Sequence, residues 1–167
     1  MRKSLSEQAT QLLQRIPHAK GFYKQHLVRK FSAVSEKLGA FISLNAHFSD
    51  SPVFPHGLHG VFISSGAKIG KGCTIFHQVT IGSNTFSDSK KPGAPTIGDD
   101  VFIGTGAKII GGVHIGSHVR IGANCVITQD IPDNCTVVLP SPRIILHEEG
   151  RSNRFRTWGE YRSEKKD

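Results

Sequence analysis

The sequence predicts an all-β fold, a parallel β-helix of hexapeptide repeats preceded by a short N-terminal helical segment. Three observations predict it. From Val61 the chain divides into the hexads VFISSG, AKIGKG, CTIFHQ and VTIGSN, then, after an interruption, PTIGDD, VFIGTG, AKIIGG, VHIGSH, VRIGAN and CVITQD. The third residue is Ile every time, at 63, 69, 75, 81, 97, 103, 109, 115, 121 and 127, and the first is small or β-branched, with Pro95 once. Glycine makes up 18 of 167 residues, half again above the roughly 7 % of average proteins. A period of six fits neither an amphipathic helix nor a heptad coil; it fits a repeat in which each hexad is one short strand and a turn.

Taken in chain order, residues 1–40 form the helical segment, with helices over 4–16 and 22–38. In the second, Phe22, Leu27, Val28, Phe31, Val34 and Leu38 recur at helical spacing and Gly39 supplies the stop. Residues 41–146 form the β-helix. Three hexads close a triangular coil, Ile fills its interior, and successive coils stack about 4.7–4.9 Å apart through ladder hydrogen bonds. Ten hexads give about three coils and one further face. Glycine after Ile, as in Ile69-Gly70 or Ile103-Gly104, suits a corner with no room for a side chain. Cys73 and Cys125 take the small inward position and read as buried structural thiols. Sixteen residues separate Ile81 from Ile97 where six are expected, so a loop around 84–94 stands out from one corner, and long loops on rigid scaffolds carry function. The tail, 147–167, is charged and poor in apolar residues, which predicts a flexible segment or a loose helix.

Composition narrows the class further. The net charge of +8 suits an anionic ligand, but no nucleic-acid-binding motif accompanies it. No stretch approaches the roughly 20 apolar residues of a membrane span, and the N-terminus has no apolar signal core. Three cysteines, an odd number without CxxC spacing, argue against a disulfide scaffold or zinc ribbon. A cytoplasmic protein is expected.

The Ile-Gly hexads, the looped-out coil and the closing Pro142-Arg143-Ile144-Ile145 resemble the hexapeptide-repeat acyltransferases, and residues 53–145 look most like their serine O-acetyltransferase branch. The resemblance implies a left-handed β-helix, a homotrimer, and acetyl-CoA bound in a groove between prisms, with no metal. It places a catalytic histidine at His56, in Pro55-His56-Gly57-Leu58-His59-Gly60, with this chain one residue longer between that histidine and the strand. His77-Gln78-Val79-Thr80-Ile81-Gly82 resembles the segment before the active-site loop. Gly104, Thr105, Gly106, Ala107 and Lys108 resemble the segment whose backbone amides line the CoA arm, Gly122 and Ala123 belong to the same track, and Arg143 would meet a CoA phosphate. Two departures stand out: Pro55 replaces an aspartate, and Gly93-Ala94 replaces an Arg-His pair, both expected to serve the amino-acid acceptor.

The register supports part of this independently. If Phe54 is an inward residue above Ile75, His56 and His77 each follow an inward position by two residues. Their rings then stack about one strand spacing apart, roughly 5 Å, and Thr105 and Ala123 continue the column. Neutral imidazole suits removal of a proton from an acceptor hydroxyl as it attacks a thioester, and a backbone N–H from a glycine-rich turn would serve the oxyanion. With no GxSxG motif, direct transfer is favoured. His56 or His59 is the base, and His77 is a positioning group or a corner residue. His114 and His118 read as surface residues. Asn84, Lys90 and Lys91 belong to the substrate loop, where the lysines reach CoA phosphates or an acidic acceptor, or are simply solvated. The expected reaction is acetyl transfer to a small-molecule, sugar or glycan hydroxyl, with serine as the alternative acceptor. A γ-type carbonic anhydrase, with His114 and His118 as its nearest match, and a non-catalytic scaffold are the competing classes.

Overall fold

The computed structural model describes residues 3–163; residues 1–2 and 164–167, at the outer ends of the helical segment and the tail, lie outside the described residues. Helix α1 (Leu5–Arg15) starts in a capping box. The Ser4 hydroxyl accepts from the Glu7 amide at 3.2 Å, and the Glu7 carboxylate accepts from the Ser4 amide at 2.8 Å. A 3₁₀ turn at Ile16–His18 leads into helix α2 (Gly21–Lys37), which ends at Gly39 with φ +60°. Both helices fall within a residue of expectation. One assignment fails: Phe22 is 90 % exposed, because α2 buries only Leu27, Phe31 and Ser35. At about 100° per residue Phe22 lies roughly 140° around the axis from Leu27, off that narrow stripe.

Thirteen short strands follow. They are β1 (Phe41–Ile42), β2 (His47–Phe48), β3 (Phe62–Ile63), β4 (Lys68–Ile69), β5 (Thr74–Ile75), β6 (Thr80–Gly82) and β7 (Thr96–Ile97), then β8 (Phe102–Ile103), β9 (Lys108–Ile110), β10 (His114–Ile115), β11 (Arg120–Ile121), β12 (Val126–Ile127) and β13 (Thr136–Val137). All pairings between them are parallel, and from β3 to β12 each strand pairs with the one three places on. The chain therefore visits three sheets in rotation: face A (β1-β3-β6-β9-β12), face B (β2-β4-β7-β10) and face C (β5-β8-β11-β13). Such a coil satisfies its backbone between levels rather than within a hairpin, which is why two-residue strands suffice.

Every hexad Ile is at most 4 % exposed, and Cys73 and Cys125 are buried free thiols. The coil is longer than the ten hexads. Ile42 stands over Ile63, Phe48 over Ile69 and Phe54 over Ile75, while Ile131 and Val137 close the far end against Ile115 and Ile121. Corner crowding is real: a Cβ on Gly98 would lie 2.8 Å from the Gly116 carbonyl carbon one level away. Beyond β13 the chain is irregular and exposed until a short helix, α3 (Trp158–Ser163).

A histidine pair at one corner of the coil

The C-to-A corner is where the candidate site forms. A parallel bridge between Val53 and Thr74 sets Phe54 over Ile75, so His56 and His77 occupy equivalent places in adjacent levels. Their Nδ1 atoms are 2.9 Å apart and their ring centroids 4.9 Å. Phe76 meets the His56 ring edge-on at 5.0 Å and in turn lies tilted at 54° against Phe102, 5.1 Å away, so an aromatic row fixes the His56 plane.

Since both contacting atoms are Nδ1, one carries the hydrogen and the other offers its lone pair. If His56 donates, its Nε2 bears a lone pair and is the basic nitrogen of the pair. Protonation of both rings would set N–H against N–H and two like charges within a few ångströms.

Residues 55–60 form the turn that carries His56, and here the upper level is longer than the one below. Five residues run from Ile75 to Val79, but eight from Phe54 to Val61, although both ends are in register. Leu58, fully buried, anchors this bulge. His59 is exposed on the same turn, and its carbonyl accepts from the Gln78 amide at 2.8 Å; no ring contact links it to His77. The turn is tied to α1 by the Leu58 amide, which donates to the Ser6 hydroxyl at 3.0 Å. That hydroxyl stands only 1.7 Å from where a Cβ on Gly57 (φ +68°) would be. Neither Ser6 nor Phe76 stood out in the sequence, because both act through contacts between distant segments.

Below the pair, Thr105 and Ala123 continue the column, fixed by the Ile75–Ile103–Ile121 register. The neighbouring amides are not free to line a ligand as expected. Those of Gly104, Gly106, Ala107 and Lys108 donate to Ile121, His77, Gly104 and Cys125, and that of Gly122 to Val137. The Ala107 side chain is fully buried in the core. The Lys108 ammonium bridges two levels, donating to the carbonyls of Gln78 (2.8 Å) and Gly106 (2.7 Å). The column therefore offers Thr105, Ala123 and the edges of glycine turns, not a row of open N–H groups. Arg143 lies exposed in the irregular segment after β13.

The loop predicted at 84–94 leaves the A-to-B corner, a different corner from the histidines. It closes on itself through the Asn84–Gly93 bridge, with Asn84 accepting from the Phe86 amide at 3.0 Å and donating to Ser89 at 3.0 Å. Asn84 thus organises the loop from within. Lys91 pairs with Asp130 at 2.6 Å, and that ammonium holds the Asp130 carboxyl below its ordinary range, helped by the His114 amide. Lys90 is exposed. Gly111 and Gly112 admit the loop: a Cβ on Gly112 would stand 2.2 Å from the Pro92 carbonyl oxygen. That Gly-Gly was the available sequence signal.

The other histidines do not join the pair. His114 is exposed on β10, and His118 Nδ1 lies 2.9 Å from Asp100 at the B-to-C corner. Among the described residues no three His, Cys, Asp or Glu side chains are grouped as metal ligands, and no helix is long and apolar enough to cross a membrane.

Comparison with known proteins agrees with this architecture. The bacterial transferase hexapeptide family (six repeats) matches residues 94–129. A serine acetyltransferase of Bacillus pumilus (strain SAFR-032) is 34 % identical over 144 residues, which cover 84 % of this chain and 64 % of that protein. Among solved structures, serine acetyltransferase isoform 3 from Entamoeba histolytica, in complex with cysteine, superposes with a TM-score of 0.68 at 31 % identity, covering 89 % of this chain and 52 % of that one. The Neisseria gonorrhoeae serine acetyltransferase in complex with serine gives 0.63 at 29 %, covering 83 % and 55 %. The chain thus spans about half to two thirds of the length of these relatives.

Proposed function

This chain is a hexapeptide-repeat protein similar to the serine acetyltransferases, and from that premise we propose that it is an acetyl-CoA-dependent O-acetyltransferase. The observation that carries the reading is the His56–His77 pair, joined Nδ1 to Nδ1 at 2.9 Å above a column of small side chains. His56, donating to His77, takes the acceptor hydroxyl proton on its Nε2. The acceptor oxygen attacks the thioester carbonyl, the tetrahedral centre collapses with cleavage of the C–S bond, and the departing thiolate receives the proton from His56. The products are an acetyl ester and CoA thiol. His77 orients the base, and the pantetheine arm runs along Thr105 and Ala123, with Arg143 available to a phosphate. Residues 41–146 make up the transferase domain, which we read as a left-handed coil, between the 1–40 helical segment and the 147–167 tail.

Similarity to the serine acetyltransferases favours serine as the acceptor. A sugar or glycan hydroxyl is the second reading, because Pro55 and Gly93-Ala94 stand where the resemblance expects groups for an amino acid. Face A supports a homotrimer: Phe41 and Phe62 are stacked at 4.9 Å, about half exposed, with Val126 outward on the same face. A trimer would also bring the loop of one chain, 84–94, to the histidines of the next. The three unpaired cysteines suit a reducing cytoplasm.

The test is release of free thiol from acetyl-CoA with serine and with sugars, run beside His56→Ala. Loss of a positioned general base costs about 10²–10⁴-fold in rate. A turnover unchanged in His56→Ala would reject this assignment.

A further inference from the structure

The positive charge of this chain is unevenly placed. Residues 1–40 carry eight Lys and Arg against two Glu, whereas residues 41–146 carry seven against six Asp. The helical segment therefore holds most of the net +8, and helix α2 arranges much of it on one side. The buried stripe of α2 is Leu27, Phe31 and Ser35. At about 100° per residue, the opposite side is Phe22, His26, Arg29, Lys30, Ala33 and Lys37, all exposed. We propose that this face docks the protein on an anionic lipid surface, with the basic side chains against the headgroups and the Phe22 ring inserted among them. The inference is independent of the acetyl-transfer reading.

The charge on this face is uncompensated. Glu36 is the one acidic residue of α2, and it lies at the opposite end from Phe22. Exposed Lys20 and Lys24 extend the basic surface around the start of the helix. Among the described residues the ion pairs lie elsewhere, at Lys91–Asp130, His118–Asp100 and Arg154–Glu160, so no carboxylate meets Lys24, Arg29, Lys30 or Lys37. Each Lys or Arg held near an anionic leaflet strengthens association by about fivefold.

The aromatic end of the stripe gives the face its second property. Phe22 is 90 % exposed, and its neighbour Tyr23 is half exposed, with its hydroxyl on the Arg15 guanidinium. A bare phenyl ring beside lysines matches the boundary between headgroups and acyl chains, where the ring is buried and the cations stay hydrated. The apolar stripe of α2 is already packed against the protein, so docking by the outer face requires no unfolding. A nucleic acid is the other polyanion such a charge could meet. Here, however, the aromatic stands at the end of the stripe and is not interleaved with the cations as a stacking platform would be, and the chain has no nucleic-acid-binding motif.

The experiment measures co-sedimentation of the full chain with vesicles of phosphatidylcholine alone and of phosphatidylcholine mixed with phosphatidylglycerol, at low and raised salt, and separately its binding to duplex DNA. The variants are the double Arg29→Glu, Lys30→Glu and the single Phe22→Ser. The double Lys68→Glu, Lys71→Glu, at exposed positions on the coil, makes the same change in net charge away from α2. Circular dichroism and melting temperature check that each is folded. Expected are binding to the anionic vesicles that weakens with salt, and a fall of about tenfold or more in the α2 double variant. Phe22→Ser should show a smaller fall that persists at raised salt, and the coil variant should stay close to wild type. The proposal is overturned if the anionic vesicles bind no better than phosphatidylcholine, if the α2 double variant binds as wild type, or if the coil variant loses as much. Wild-type binding by Phe22→Ser would overturn insertion of the ring. Duplex DNA bound more tightly than the anionic vesicles, and lost in the α2 double variant, would overturn the lipid surface in favour of a nucleic acid.

Discussion

At the residue scale, the proposed chemistry depends on two ring nitrogens 2.9 Å apart. The pair holds one shared hydrogen, given by one ring and accepted by the other. His77→Phe, which keeps a ring but removes the acceptor nitrogen, should lower kcat and leave the acetyl-CoA KM little changed. Gly57 is the other sensitive point. In Gly57→Ala the new methyl meets the Ser6 hydroxyl at a backbone φ of +68°, a combination worth about 1–3 kcal/mol of destabilisation; thermal unfolding measures it, and a stability unchanged from wild type would show that α1 is not tied to the turn. The thiols divide by environment. Burial pushes the Cys73 thiol above its ordinary value, the nearby aspartates add to this, and its sulfur faces the Gly98 carbonyl. Half-buried Cys135 should therefore react with a thiol reagent in the native state well before Cys73.

At the element scale, the loop and the helix α1 are held by different devices. Lys91 and Asp130 tether the loop on the surface, a contact that salt screens. The carboxyl is held below its unfolded value, so the tether's contribution is present above that value and is lost as pH falls through the lower folded one. Loop mobility should thus be unchanged across neutral pH and rise only in acid, whereas Asp130→Asn should loosen the loop at pH 7; exchange of the Gly112 amide, which donates to the Lys91 carbonyl at 2.9 Å, reports both. The elements differed in how openly the sequence declared them. The ten Ile positions gave the coil and its register, and through Phe54 the histidine column, because a strict period is imposed by the prism itself. The outer levels at Ile42, Phe48, Ile131 and Val137 escaped the count, since end coils lie beside helices or solvent and relax the pattern. The Ser6–Leu58 tie and the commitment of the Gly104–Lys108 amides to the ladder were not legible at all, for they follow from how segments far apart in the chain pack.

At the scale of the whole molecule, the prism is a column of stacked isoleucines with the candidate histidine site at one corner. Ile103→Ala, in the middle of the face C column, should cost about 2–5 kcal/mol, readable in a chemical melt, without altering the histidine geometry. The exposed Phe41–Phe62 stack is expected to close against another copy, so light scattering should give three times 18.2 kDa, and Phe62→Glu should reduce it. The most direct measurement is the rate of thiol release from acetyl-CoA in wild type and His56→Ala, with CoA affinity determined for both. A loss of about a hundredfold or more in rate with CoA affinity retained places the base of acetyl transfer at this corner. Equal rates in the two proteins, or no CoA binding by the wild type, would contradict it.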